Sequence, residues 1–314
     1  MRTTAALLGI VLSFQGAAIV DATGPASENT IDAEDLSARA ELDGLQKQRG
    51  LTIVLFNEDG LGALQFKKRK FAFVRPFQDR YINSAAISHD GMQVAAFQLF
   101  TNAPSIVVVR ADGTDLRRYL QPRYHYLVPI CWSPDDRSVL VSSKDGFAVL
   151  DLKSNLLRQV PVQGTANPQC WSLDGKRIVY EAGSGGGDVS VYDLESGIST
   201  RIAEGNEPTW SPDVNRIAFR RGDTYYTVSP SGGPAIKLFH KRRAISALYW
   251  SPDSRFVAYV HQDYFALDVE FYHLMVRRLE DGDEDWVADG ADAAAWWCQW
   301  VSNPSLLKLT VPAR

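Results

Sequence analysis

Basic residues are not in surplus: 33 Lys and Arg stand against 37 Asp and Glu, a net charge of −4. That balance gives no support to the strongly basic face on which general nucleic-acid binding depends, so no nucleic-acid partner is expected. Long apolar stretches are scarce as well. The run at residues 5–14 (AALLGIVLSF) has ten residues, about half of what a membrane span requires. The five histidines, His89, His125, His240, His261 and His273, show neither the His-x-His nor the His-Glu-x-x-His spacing of a metalloenzyme. The Gly-rich stretch Gly183-Ser184-Gly185-Gly186-Gly187 lies between strand patterns with no helix after it, which excludes a nucleophile elbow and a phosphate cradle. No catalytic residue, metal or cofactor is assigned. Apolar residues at 45% and charged residues at 22% are ordinary for a folded chain and exclude disorder.

What is present begins with an export pattern. Met1 and Arg2 precede the apolar run, and small residues follow it, which suits cleavage after Ala18 or Ala22. Residues 1–22 are therefore expected to be a signal peptide, and the mature protein periplasmic or secreted. No cysteine follows the run, which argues against a lipoprotein anchor. Residues 23–50 are polar and acidic at first, then carry Ile31, Leu36, Leu42 and Leu45 at loosely helical spacing. A polar arm or a short amphipathic helix is expected there.

A repeat organises residues 51–314. Ile87-Ser88-His89-Asp90, Trp132-Ser133-Pro134-Asp135, Trp171-Ser172-Leu173-Asp174, Trp210-Ser211-Pro212-Asp213 and Trp250-Ser251-Pro252-Asp253 align without gaps, with a degenerate sixth copy at Trp300-Val301-Ser302-Asn303. Their spacings of 45, 39, 39, 40 and 50 residues match the period of a propeller blade. Ser-Pro-Asp suits a type I turn, and each turn is followed by an apolar strand. Four antiparallel strands per period make an all-β, six-bladed β-propeller. Its last blade is shared between the chain ends: residues 51–56 and 63–74 are expected to supply two strands, and the segment around Trp300 with residues 306–311 the other two.

These Trp-Ser-Pro-Asp turns resemble the WD-like repeats of the TolB-type propeller family. The resemblance covers residues 51–314, with three full Trp-Ser-Pro-Asp matches. The family's periplasmic namesake carries an N-terminal α/β domain that residues 23–50 do not supply, so its role in the envelope is not carried over.

The Ser-Pro-Asp turns occupy one face of a propeller, here the turn face; the loops between strands two and three and between blades occupy the other, the loop face. Sequence variation concentrates on the loop face. Its largest insertion is residues 261–273, with His261, Tyr264 and Phe265, and beside it stand Tyr124, His125 and Tyr126. Aromatic and cationic side chains of this kind anchor interfaces. At the same mouth the innermost strands bring together Asn83, Asn167, Asn206 and Glu207, with Trp296 and Trp297 as an apolar wall. This set is the expected ligand or partner site, and the alternative use of its Asn side chains is to satisfy backbone groups at the blade ends.

The expected activity is non-catalytic binding of a protein or peptide partner in the cell envelope, by a monomer or an assembly subunit. One alternative is a metal-assisted glycan lyase or hydrolase using His125, His240, His261 and Asp263 or Asp268; another is a structural subunit of an envelope assembly. Residues 280–285 (EDGDED) resemble the start of a calcium loop, but Trp286 stands where Gly is needed, so a solvated turn is expected. The run Lys67-Lys68-Arg69-Lys70 offers a weak contact with anionic membrane or glycan. Of the three cysteines, Cys131 and Cys170 share the position before Trp in neighbouring blades. They are expected beyond the roughly 7 Å reach of a disulfide and are read, with Cys298, as small buried hydrophobes.

Overall fold

The computed structural model describes residues 37–57, 60–66, 70–74, 82–98, 105–120, 128–143, 146–167, 169–183, 187–244, 246–265, 269–289 and 298–309. They form six four-stranded antiparallel sheets, the blades of a β-propeller. Blades 1 to 5 follow the chain, with innermost strands Ile82–Ile87, Val128–Trp132, Gly164–Thr165, Asn206–Trp210 and Tyr249–Trp250. Blade 6 is built from both ends. Its innermost strand Cys298–Ser302 pairs with Leu51–Asn57, Ile53 lying opposite Trp300, and Gly60–Gln65 and Lys70–Val74 complete the sheet.

The closure therefore divides as one C-terminal and three N-terminal strands, not two and two. Residues 63–74 split into two strands, and the expected strand at 306–311 is replaced by a helix, α2 (Pro304–Leu309). The physical reason is local: the Asn303 carboxamide accepts from the Ser305 N–H at 2.9 Å as an N-cap, and Pro304 fits the first helical position. A longer helix, α1 (Ser37–Arg49), precedes the propeller. Its Leu42 is fully buried against Leu51, Ile53, Phe66 and Trp300, and Glu41 reaches Arg255 at 2.5 Å and Arg278 at 3.0 Å in blade 5. Among the described residues no helix is long and apolar enough to cross a membrane.

The turns are built as the sequence implies. In five copies the Ser hydroxyl donates to the Asp carboxylate at 2.5–2.6 Å, and the N–H of the fourth residue returns to the Ser carbonyl. Hydrogen bonding to the Ser133 hydroxyl is the main force holding Asp135 below its ordinary carboxylate range. The fourth residue has positive φ throughout: Gly91 and Gly175, but also Asp136, Val214 and Ser254.

The core runs around the ring between blades. One cluster joins Cys131, Phe147, Trp171, Tyr180, Trp210 and Phe219 of blades 2, 3 and 4; another joins Tyr225 and Phe239 of blade 4 to Trp250 and Tyr259 of blade 5. The expected separation of Cys131 and Cys170 does not hold: their Sγ atoms lie 2.9 Å apart. Innermost strands converge at the channel, close enough for the Trp210 N–H to donate directly to the Gln169 carbonyl at 2.8 Å.

Candidate binding site at the channel mouth

The repeat that marks the blades also builds a bowl. Trp132, Trp171, Trp210, Trp250 and Trp300 line a cavity of ≈ 300 Å³ at the turn-face end of the channel. The third motif position of every blade faces the same cavity: His89, Pro134, Leu173, Pro212, Pro252 and Ser302. Five turns of common geometry, with the end of the Cys298–Ser302 strand in the equivalent place of blade 6, put these positions in a ring and make a six-membered rim. The tryptophans are themselves buried and serve mainly as inter-blade packing.

The floor carries polar side chains. Innermost strands leave their inner backbone edge unpaired, and the Gln169 carboxamide crosses the channel from blade 3 to satisfy that edge in blade 5. Its Oε1 accepts from the Trp250 N–H at 2.6 Å, and its Nε2 donates to the Trp250 carbonyl at 2.8 Å. Gln299 Nε2 donates to the Ser88 carbonyl at 3.3 Å beside it. On the rim, His89 Nδ1 lies 2.9 Å from Asp136 Oδ1, and the His89 N–H donates to the same oxygen. Trp132 and Trp300 donate their indole N–H groups to the Ala86 and Tyr249 carbonyls of the preceding blades. The corresponding groups of Trp210 and Trp250 are buried with no partner among the described residues, and Arg177 and Arg216 lie over their rings at 4.8 and 5.0 Å.

Asn167, Asn206 and Glu207 of the expected loop-face set are held in bonds between blades 3 and 4 and within blade 4. Asn206 Nδ2 donates to Glu181 at 3.1 Å, and the Glu207 backbone N–H donates to the same carboxylate at 3.0 Å. Glu207 pairs with Arg220 at 2.8 Å, and Asn167 Nδ2 donates to the Pro208 carbonyl at 3.3 Å. Asn83 sits in the innermost strand of blade 1. His261, Tyr264 and Phe265 lie on an extended hairpin, Phe256–Phe265 paired with Val269–Arg278, which accounts for the long spacing in blade 5. The His261 and His273 rings are stacked at 6.4 Å. Tyr124, His125, Tyr126, Trp296, Trp297, Asp268 and residues 67–69 lie outside the described residues.

No group of three or more His, Cys, Asp or Glu able to hold a metal occurs among the described residues. The acidic run at 280–285 is paired instead: Asp281 and Asp283 face Arg278 at 2.6 and 3.3 Å, and the Arg278 hydrogen bonds hold Asp281 at about 2. Glu284 binds Lys241, Arg277 and the Tyr259 hydroxyl.

The bowl residues His89, Gln169, Leu173, Gln299 and Ser302 are absent from the sequence-derived site. The signal that could have found three of them is the third motif position, where His89, Leu173 and Ser302 depart from Pro; Gln169 and Gln299 precede the motif Trp and carry no such mark.

No family model matches the chain, and no curated protein aligns with it. Among solved structures it is similar to a putative TolB from Agrobacterium tumefaciens, at a TM-score of 0.59 and 17% identity over 77% of this chain and 89% of that one. It is similar to TolB from Acinetobacter baumannii at 0.50 and 16%, over 75% and 68%. A chain of a nidogen/laminin complex gives 0.59 and 10%, over 80% and 98%. At these identities the likeness is one of fold, a TolB-like propeller.

Proposed function

We propose that the chain is an exported, non-catalytic binding propeller that holds a segment of a partner protein in the turn-face bowl. The observation that carries this reading is the cavity itself: ≈ 300 Å³, walled by indole and pyrrolidine rings with two carboxamides at its floor. That volume is at the lower end of ligand pockets, about 300–1,000 Å³, and suits one anchoring side chain of a peptide. Aromatic walls with a few fixed polar groups are the usual composition of such an anchor pocket. The same face carries exposed apolar residues at the start of the outermost strands of blades 1 to 4: Leu116, Leu156, Ile198 and Ile236. Export rests on the pattern of residues 1–22, and a protein partner agrees with the nidogen/laminin assembly among the similar structures. The ten-residue strands of the blade 5 hairpin favour the loop face as a second reading, with His261, Tyr264 and Phe265 as contacts.

Selection of peptides on the purified protein, followed by titration of the best binder, tests both. Five of the eight tryptophans line the bowl, so entry of a ligand is expected to shift their emission. Leu173→Arg, at a 44% exposed rim position, should weaken binding at least tenfold without lowering the melting temperature. Loss on Tyr264→Ala with Phe265→Ala instead moves the site to the loop face, and binding that survives both changes refutes the reading.

A further inference from the structure

Around the channel every pair of neighbouring blades is fastened by a short polar link near the motif tryptophan. Trp132 Nε1 to the Ala86 carbonyl joins blades 2 and 1, and the Trp210 N–H to the Gln169 carbonyl joins 4 and 3. Thr209 Oγ1 to the Leu248 carbonyl at 2.8 Å joins 4 and 5, Trp300 Nε1 to the Tyr249 carbonyl joins 6 and 5, and Gln299 to the Ser88 carbonyl joins 6 and 1. At the junction of blades 2 and 3 the equivalent place is held by Cys131 and Cys170. A thiol is a weak donor and a weak acceptor, so as dithiol this contact is weaker than the N–H and O–H bonds named at the other junctions.

We propose that Cys131 and Cys170 are an oxidation site, forming a disulfide that locks blades 2 and 3 together beneath the bowl. The sulfurs, 2.9 Å apart, are within about 1 Å of the bonded distance of ~2.05 Å. Both side chains are buried and their sulfurs meet across the blade boundary. The step is thiol–disulfide exchange with a disulfide oxidant, such as glutathione disulfide. One thiolate displaces a thiol from the oxidant, and the second displaces the other. Two protons and two electrons leave the cysteine pair, the oxidant is reduced to two thiols, and the Sγ–Sγ bond forms. Burial pushes the Cys170 thiol well above the ordinary thiol range. Thiolate is the attacking species, so the bond is made while the blades assemble and is slow to form or break once they have closed. Trp132 and Trp171, the next residues in the chain, line the bowl, so the bond fixes one side of its wall. This inference does not depend on what the bowl binds.

The test refolds the full chain from denaturant into a glutathione redox buffer, with alkylation of free thiols under denaturing conditions and peptide mapping. One alkylated thiol, at Cys298, is expected, together with a linked Cys131–Cys170 peptide two hydrogens lighter than its parts. The loop closed between the two residues, about 40 residues, should raise the melting temperature by roughly 10 °C over the reduced protein. Reduction should leave Cys131→Ala unchanged in melting temperature. Three alkylated thiols after refolding, or a linkage that includes Cys298, overturns the proposal, and this readout on the wild-type chain does not depend on the variant folding.

Discussion

Removing the charge of Glu284 should loosen the junction of blades 4 and 5 in a way that pH reports. Its carboxylate, 17% exposed, binds Lys241 of blade 4, and within blade 5 the Arg277 guanidinium at 3.3 Å and the Tyr259 hydroxyl. Burial pushes Glu284 up, but hydrogen bonds from Lys241 and Tyr259 and the charges of Lys241 and Arg277 outweigh it, and the group is held below its ordinary range. Exposed pairs are worth about 0.2–1 kcal/mol, and breaking a fully buried one costs about 3–5 kcal/mol. With Lys241 27% and Arg277 25% exposed, Glu284→Gln should lie between, at about 2–3 kcal/mol, since two cations lose their counter-charge. At roughly 2–4 °C per kcal/mol for a domain of this size, the melting temperature should fall by about 4–12 °C at pH 7. A carboxylate whose folded pKa is depressed stabilises above its unfolded pKa, about 4.3 for Glu, and that contribution is lost as pH falls through the folded value. Urea unfolding of wild type and Glu284→Gln at pH 7 and at about pH 3 should therefore give a difference that narrows in acid. A second substitution, Lys241→Met, should cost less in the Glu284→Gln background than in wild type. No loss at pH 7, or a loss undiminished in acid, would refute the role given to the Glu284 carboxylate.

Two paired comparisons and one single substitution probe the blade junctions and the positive-φ positions. Trp132→Phe removes an indole N–H bonded to the Ala86 carbonyl, whereas Trp250→Phe removes one with no partner among the described residues; the first should cost about 1–3 kcal/mol more in urea unfolding, and equal costs would show that the hydrogen bond is not what ties blades 1 and 2. Gly50 ends α1 at φ 67, and an added Cβ would stand 2.2 Å from Pro304 N, so Gly50→Ala should cost about 3 kcal/mol or more. Gly175→Ala, at φ 75 with nothing within 4 Å, serves as control at about 1 kcal/mol. Val214 holds a positive φ of 54 where Gly175 and Gly91 serve in other blades; relief of about 1–2 kcal/mol, less about 0.5–1 for glycine's backbone entropy, makes Val214→Gly a gain of about 0.5–1 kcal/mol, read as a rise in melting temperature.

The ring was legible because its signal is periodic. A turn chemistry that recurs every blade survives substitution at single positions, so Ile87 in place of Trp and Leu173 in place of Pro did not hide it. The closure was less legible because its cues are local and occur once: Asn303-Pro304 is a helix start, yet the surrounding repeat argues for one more strand. The cysteines failed for a geometric reason. Counting columns gives position along a strand but not the separation between strands, and innermost strands draw together at the channel until backbone groups such as Gln169 and Trp210 bond directly.

The candidate site shows the same limit from the opposite side. Architecture and binding surface are separable in sequence when they use different residues, as on the loop face, where an insertion stands out against the period. At the turn-face mouth they use the same residues, because the turn that joins strands one and two also forms the rim. Trp and Pro at their motif positions then carry no information about binding, and only the departures do. In blade order the rim reads His89, Pro134, Leu173, Pro212, Pro252 and Ser302, so Leu173 stands between two prolines and Ser302 between Pro252 and His89. A six-membered rim with three unlike positions is an asymmetric mouth, and asymmetry is what an oriented peptide requires of a ring that would otherwise offer equivalent seats.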